Sequence, residues 1–135
     1  MKKLLWTVSA VALLGVSACT VKPLVRPGTA YFPTTRPTIV AKTVNQVAQE
    51  SGFNVVDQKP GVIEVVYPTD KRANQFQARF AVHYTTKSVQ VKYLDSRGLD
   101  ESDCYQSSRG VCVHRNVGRW MGNLQKRIKD RLNTL

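Results

Sequence analysis

The sequence predicts an α+β domain: a two-layer fold in which a four-stranded antiparallel meander carries two helices on one face, in the order α-β-β-β-β-α. Three observations predict it. Residues 75–84 alternate apolar and polar side chains with a period of two. Val40, Val44, Val47 and Ala48 recur at helical spacing, and so do Val117, Trp120, Met121, Leu124, Ile128 and Leu132. Strict alternation marks a sheet with one dry face and one wet face. A 3.6-residue period marks a helix that must bury one stripe. A meander with a polar face leaves only its other face for both helices.

The elements follow in order. Thr38 can cap the first helix, and Gly52 stands where a C′ residue belongs. Phe53 to Asp57 is a short apolar run, Pro60-Gly61 a turn, and Val62 to Tyr67 a β-branched strand. Pro68 to Asn74 is polar and turn-like. Phe76, Ala78, Phe80, Val82 and Tyr84 then form the core face of the third strand, opposite Gln75, Gln77, Arg79, Ala81 and His83. Thr85 to Ser88 turns the chain into Val89, Val91 and Tyr93, the fourth strand. Asp95 to Gly110 reads as a polar loop, and the second helix as Val113 to Leu132. Trp120 on its apolar face is either the central core residue of that helix or a ligand-stacking ring.

The N-terminus carries an address. Met1-Lys2-Lys3 is a positive start, Leu4 to Leu14 an apolar run too short to span a bilayer, and small residues follow. Val16-Ser17-Ala18-Cys19 resembles the lipobox of bacterial lipoproteins. The resemblance implies diacylglycerol on the Cys19 sulfur, cleavage before that residue and N-acylation, a stable anchor because several acyl chains hold it. It also implies, with Thr20 rather than Asp next, an outer-membrane address facing the periplasm. Residues 1–18 are thus expected as signal peptide, 19–37 as lipidated Cys and tether, and 38–135 as one α+β domain. Four of the six prolines fall between Thr20 and Pro37, a composition that stiffens a linker to a reach of roughly 55 Å at ~3.1 Å per residue.

Cleavage after Ala18 leaves 117 of 135 residues and lowers the formal charge from +11 to +9, with Lys2 and Lys3 gone. One domain fits that length. In an exported chain the basic excess points away from nucleic acid. The partners it suits are the membrane, lipopolysaccharide, peptidoglycan or another envelope protein; simple solubility accounts for it equally well. Besides Cys19, the chain holds Cys104 and Cys112. An even pair in an oxidising compartment reads as a structural disulfide. Closing a loop of about nine residues contributes roughly 2.6 kcal/mol in the chain-entropy picture.

Chemistry-bearing patterns are sparse. His83 and His114 are the only histidines and nothing in the sequence places them together. Asp100, Glu101 and Asp103 cluster without the spacing of a calcium loop. No facing carboxylate pair, nucleophile elbow, phosphate loop or metalloprotease helix is present. No catalytic residue, cofactor or metal is therefore nominated, and a wall hydrolase ranks last among the functions. From Arg109 on, Arg115, Arg119, Lys126, Arg127, Lys129 and Arg131 give a basic helix, either a solvated face or a contact for anionic surfaces.

Tyr93-Leu94-Asp95-Ser96-Arg97-Gly98-Leu99, followed by Val113-His114-Arg115-Asn116-Val117-Gly118-Arg119-Trp120-Met121-Gly122-Asn123-Leu124, resembles a group of small uncharacterised bacterial lipoproteins with the pattern Y-x-D-S-x-x-L, a variable loop, then I-H-x-x-Y-N-x-W-x-x-x-L. Asp95, Ser96, Leu99, His114, Trp120 and Leu124 match, whereas Val117-Gly118 replaces Tyr-Asn. The resemblance covers roughly residues 89–128 and implies an envelope lipoprotein domain with no assigned activity. Asp95, Ser96 and His114 are expected near one end of the sheet, as a hydrogen-bonded corner or a small binding site. The leading function is a lipid-anchored envelope protein that binds a partner or supports structure without catalysis. The alternative is binding of anionic polymers or lipopolysaccharide by the basic helix.

Overall fold

The computed structural model describes residues 22–68, 76–98 and 104–135, with only the backbone of residues 104 and 105. The segment expected as signal peptide, Cys19 and the Asp100, Glu101 and Asp103 cluster lie outside the described residues. The element order is Lys22–Pro23 (β1), Ala30–Tyr31 (β2), Pro37–Glu50 (α1), Asn54–Lys59 (β3), Val62–Tyr67 (β4), Gln77–Tyr84 (β5), Ser88–Arg97 (β6), Cys104–Ser108 (β7), Val111–His114 (β8) and Val117–Asn133 (α2).

The chain is α+β, with two helices and two sheets. The expected four-stranded meander is corrected to a five-stranded sheet ordered β2-β6-β5-β4-β3, joined by a three-stranded sheet ordered β1-β7-β8. β3 to β6 pair antiparallel in succession. The extra strands escape a search for alternation because β1 and β2 have two residues each and dock through their backbones.

The period of two in β5 sets the layers. Ala78, Phe80 and Val82 point into one cluster with Ile63, Val65, Val89 and Val91, while Arg79 between them points to water. Val40, Val44, Val47 and Ala48 of α1 and Val117, Met121, Leu124, Ile128 and Leu132 of α2 complete the same cluster. Burying a large aliphatic or aromatic side chain contributes about 1.5–3 kcal/mol each, so this layer dominates the stability of the fold.

Three boundaries differ from expectation. α1 starts at Pro37 with no side-chain cap; proline suits the first helical turn, where its missing N–H loses no bond. β6 runs on to Arg97 because a register shift between Arg79 and Phe80 lets pairing continue past Asp95. α2 starts at Val117, because Val111–His114 turns back on β7 across a two-residue turn at Arg109-Gly110.

The proline-rich stretch read as a free linker is docked from Lys22 onward. Lys22 and Pro23 pair parallel with Gln106 and Ser107, and the Leu24 amide donates to the Ser107 carbonyl at 2.9 Å. Ala30 and Tyr31 pair antiparallel with Val89 and Ser88. The Phe32 and Thr35 amides donate to the Lys87 and Thr86 carbonyls at 3.0 and 2.8 Å. Leu24 and Phe32 are buried in the core. Proline discourages helix and interior strand but does not stop extended chain from lying along a sheet edge.

Two residues lock this strap. Gln125 on α2 is buried; its Oε1 accepts the Val91 amide at 2.8 Å, and its Nε2 donates to the Gly28 carbonyl. One side chain thus satisfies a β6 amide that no strand reaches and a strap carbonyl. Gly118 is the second. A Cβ there would stand 2.8 Å from the Val25 carbonyl oxygen and 3.7 Å from Leu24 Cδ1, so the strap crosses the first turn of α2 only over glycine. Val117 beside it is core, and Gly118 admits the strap.

Candidate functional site

The outer face of the five-stranded sheet carries an open cleft of about 520 Å³, lined by Val56, Val66, Gln77, Arg79, Asp95 and Arg97 among others. Alternation puts Arg79 outside because its neighbours Ala78 and Phe80 face the core. The β6 extension brings Asp95 opposite Arg79 and Arg97 opposite Gln77.

Arg79 holds Asp95 through two bonds, Nε to Oδ1 at 3.2 Å and Nη2 to Oδ2 at 2.6 Å, and meets Glu64 Oε1 through Nη1 at 3.4 Å. This guanidinium is therefore flanked by two carboxylates. Arg97 is placed differently. Its Nε and Nη2 donate to Gln77 Oε1 at 3.2 and 2.7 Å, while the buried Gln77 donates from Nε2 to the Pro68 carbonyl at 3.4 Å. A neutral amide orients Arg97 without cancelling its charge, and among the described residues no carboxylate pairs with it. The cleft thus presents one oriented guanidinium beside two valines, a setting for a carboxylate or phosphate attached to an apolar group.

The residues singled out from sequence divide between two places. Asp95 lies in the cleft, committed to Arg79. Ser96 Oγ lies 2.8 Å from the Tyr93 hydroxyl, and burial is the main cause that pushes that phenol above its ordinary value. His114 and Trp120 come together elsewhere, with rings nearly parallel at 12° and centroids 5.4 Å apart. Phe76 lies 5.1 Å from His114 and 5.8 Å from Trp120, and Tyr67 lies 4.7 Å from Trp120. His114 Nδ1 accepts the Asn116 amide at 3.1 Å, which fixes the turn into α2. Trp120 is half-buried in this aromatic group; Phe80 and Met121 occupy the fully buried centre.

Cys112 is disulfide-bonded and stands opposite Ser107 in the β7–β8 hairpin; the Cys104 side chain and Cys19 lie outside the described residues. The basic residues of α2 are spread around the helix. Arg131 Nη2 pairs with Glu50 Oε1 at 2.6 Å, Lys126 with Asp130 at 2.7 Å, and Arg127 donates to Ser51 Oγ at 3.0 Å. Arg119 is exposed and Lys129 half-buried on α2, and Arg115 is exposed just before that helix. Among the described residues no three of His, Cys, Asp and Glu come together, and no helix is long and apolar enough to cross a membrane.

Sequence reasoning passed over Arg79, Arg97 and Gln77. They occupy the polar phase of alternating strands, which looks the same whether that phase is solvent or a cleft. A scan against protein-family models and a search of curated proteins each find no match for this chain.

Proposed function

We propose that this chain is a lipid-anchored, non-catalytic binding domain of the bacterial cell envelope. Residues 1–18 serve as the signal peptide, Cys19 carries the lipid, and the outer sheet face meets an anionic group of an envelope partner. The address is the outer membrane, facing the periplasm. The observation that carries the binding role is Arg97, oriented by a neutral glutamine in an open cleft and, among the described residues, not neutralised by a carboxylate. The non-catalytic part is supported by the use of Asp95 for the Arg79 ion pair and of His114 for the turn into α2.

Two measurements test this reading. Intact-mass analysis of the protein purified from membranes checks the anchor: an acylated N-terminal Cys is expected, and Cys19→Ala should abolish the added mass. A photo-crosslinker at Val56 checks the cleft in cells. It should capture a defined partner, and Arg97→Gln should abolish that capture while a crosslinker at Asn123 on α2 yields none. Crosslinks that appear only near Arg119 and Lys129 would instead support polymer binding by α2.

A further inference from the structure

We propose that the end of the three-stranded sheet where β1 meets the Arg109-Gly110 turn, with Lys22, Val25, Arg109 and Val111, lies on the anionic phospholipid surface of the membrane that holds Cys19. This rests on the lipid-anchor reading above. Three peptide units separate Cys19 from Lys22, and each spans at most ~3.6 Å, so the first strand residue stays within about 11 Å of the anchored sulfur's own backbone. Lys22 is already fixed in β1. The domain is therefore held against the bilayer, not away from it, and the side that touches is the side on which the strap begins.

That side has the surface for it. Leu24 faces the core, so Val25 turns outward and is 71% exposed; Val111 is 57% exposed. The parallel register of Lys22 with Gln106 and Pro23 with Ser107 brings Val25 beside the Arg109-Gly110 turn, and Ser108 pairs with Val111 across that turn. Two exposed valines, Val25 on β1 and Val111 on β8, thus stand at one end of the sheet with Arg26 and Arg109, and Lys22 opens the same β1 strand. Arg26 is tied to a neutral group, Ser108 Oγ.

Among the described residues the acids are elsewhere. Glu50 pairs with Arg131, Asp57 with Lys59, Glu64 and Asp95 with Arg79, and Asp130 with Lys126. These are all the acidic side chains among the described residues, and none sits at that end of the sheet. Basic side chains near a negative bilayer are drawn to its head groups, and short apolar side chains beside them enter the interface.

The test uses the acylated protein reconstituted in vesicles of phosphatidylethanolamine and phosphatidylglycerol. Nitroxides are placed at Val25→Cys, Val111→Cys and, on the far edge of the larger sheet, Lys59→Cys. Labels at positions 25 and 111 should lose collisions with an aqueous nickel chelate and gain collisions with oxygen, while position 59 keeps its aqueous profile. Lys22→Glu with Arg109→Glu should return the first two labels to water without altering the acyl mass. Aqueous profiles at all three positions on acylated protein would overturn the docking surface alone. Equal contact on phosphatidylcholine vesicles would overturn its anionic requirement. Protein whose mass shows no acyl chain would overturn the anchor and the surface together.

Discussion

The β5–β6 hairpin and the N-terminal strap flank each other along β6, yet they are held by different physics. β5 and β6 carry their own instructions: alternate side chains such as Phe80, Val82, Val89 and Val91 are buried, so one face can only be the core. Between Lys22 and Arg36 the strap buries two large side chains, Leu24 and Phe32. It is held chiefly by backbone bonds to β6 and β7, and by glutamines that reach it from elsewhere, Gln90 to the Pro27 carbonyl at 3.1 Å and Gln125 to Gly28. Side-chain pattern specifies the first region; the shape and unfilled hydrogen bonds of the finished domain specify the second.

Breaking each region should separate the two. Phe80→Ala opens a void at the centre of the layer and should lower unfolding free energy by about 3–5 kcal/mol, measured by urea denaturation, with sheet and strap lost together. Gln125→Leu leaves the Val91 amide and the Gly28 carbonyl without partners. It should cost about 1–3 kcal/mol and raise amide exchange first at Leu24 and Phe32. Gly118→Ala presses a methyl group on the Val25 carbonyl and should cost about 1–3 kcal/mol, again with exchange rising in the strap before β5. Exchange that rises equally in β5 for either strap variant would remove the distinction.

Smaller effects sharpen the contrast between the two faces of the sheet. Arg79→Ala removes exposed ion pairs to Asp95 and Glu64 and should change stability by less than ~1 kcal/mol, so a larger loss would show the outer face to be structural. His83, on that same face, has its pKa held below the ordinary imidazole value, mainly by partial burial and also by Lys92. The folded state therefore resists its protonation. The contribution is complete above the unfolded value of about 6.5. It is lost as pH falls from there through the lower folded value. His83→Gln should flatten that slope in pH-dependent thermal melts.

The same contrast explains what could be read in advance. Both helix faces and the core side of β5 were legible, since Val40, Val44, Val47, Ala48, Met121, Leu124 and Ile128 are buried where their spacing placed them. β7 and β8 were not, because a four- or five-residue hairpin around Arg109-Gly110 carries too little alternation to stand out from a polar loop. The strap was hidden by its prolines, which describe local stiffness and say nothing of docking. Of the candidate site, Asp95 and Ser96 were noticed. The use of Asp95 was not foreseen, since its partner Arg79 is 16 residues away and meets it only through the β6 register.

The two free margins of the larger sheet are guarded by unlike means, and this bears on crowding. On one margin the strap pairs with Ser88 and Val89 and Gln125 takes the Val91 amide; on the other, β3 has a register shift between Val55 and Asp57 and ends in the charged Asp57 and Lys59. Both devices frustrate strand-to-strand templating between copies. Under the lipid-anchor proposal, confinement to a leaflet would reduce diffusion to two dimensions and multiply encounters between neighbours. A fold with shielded margins can be packed there densely without its copies zipping into fibrils.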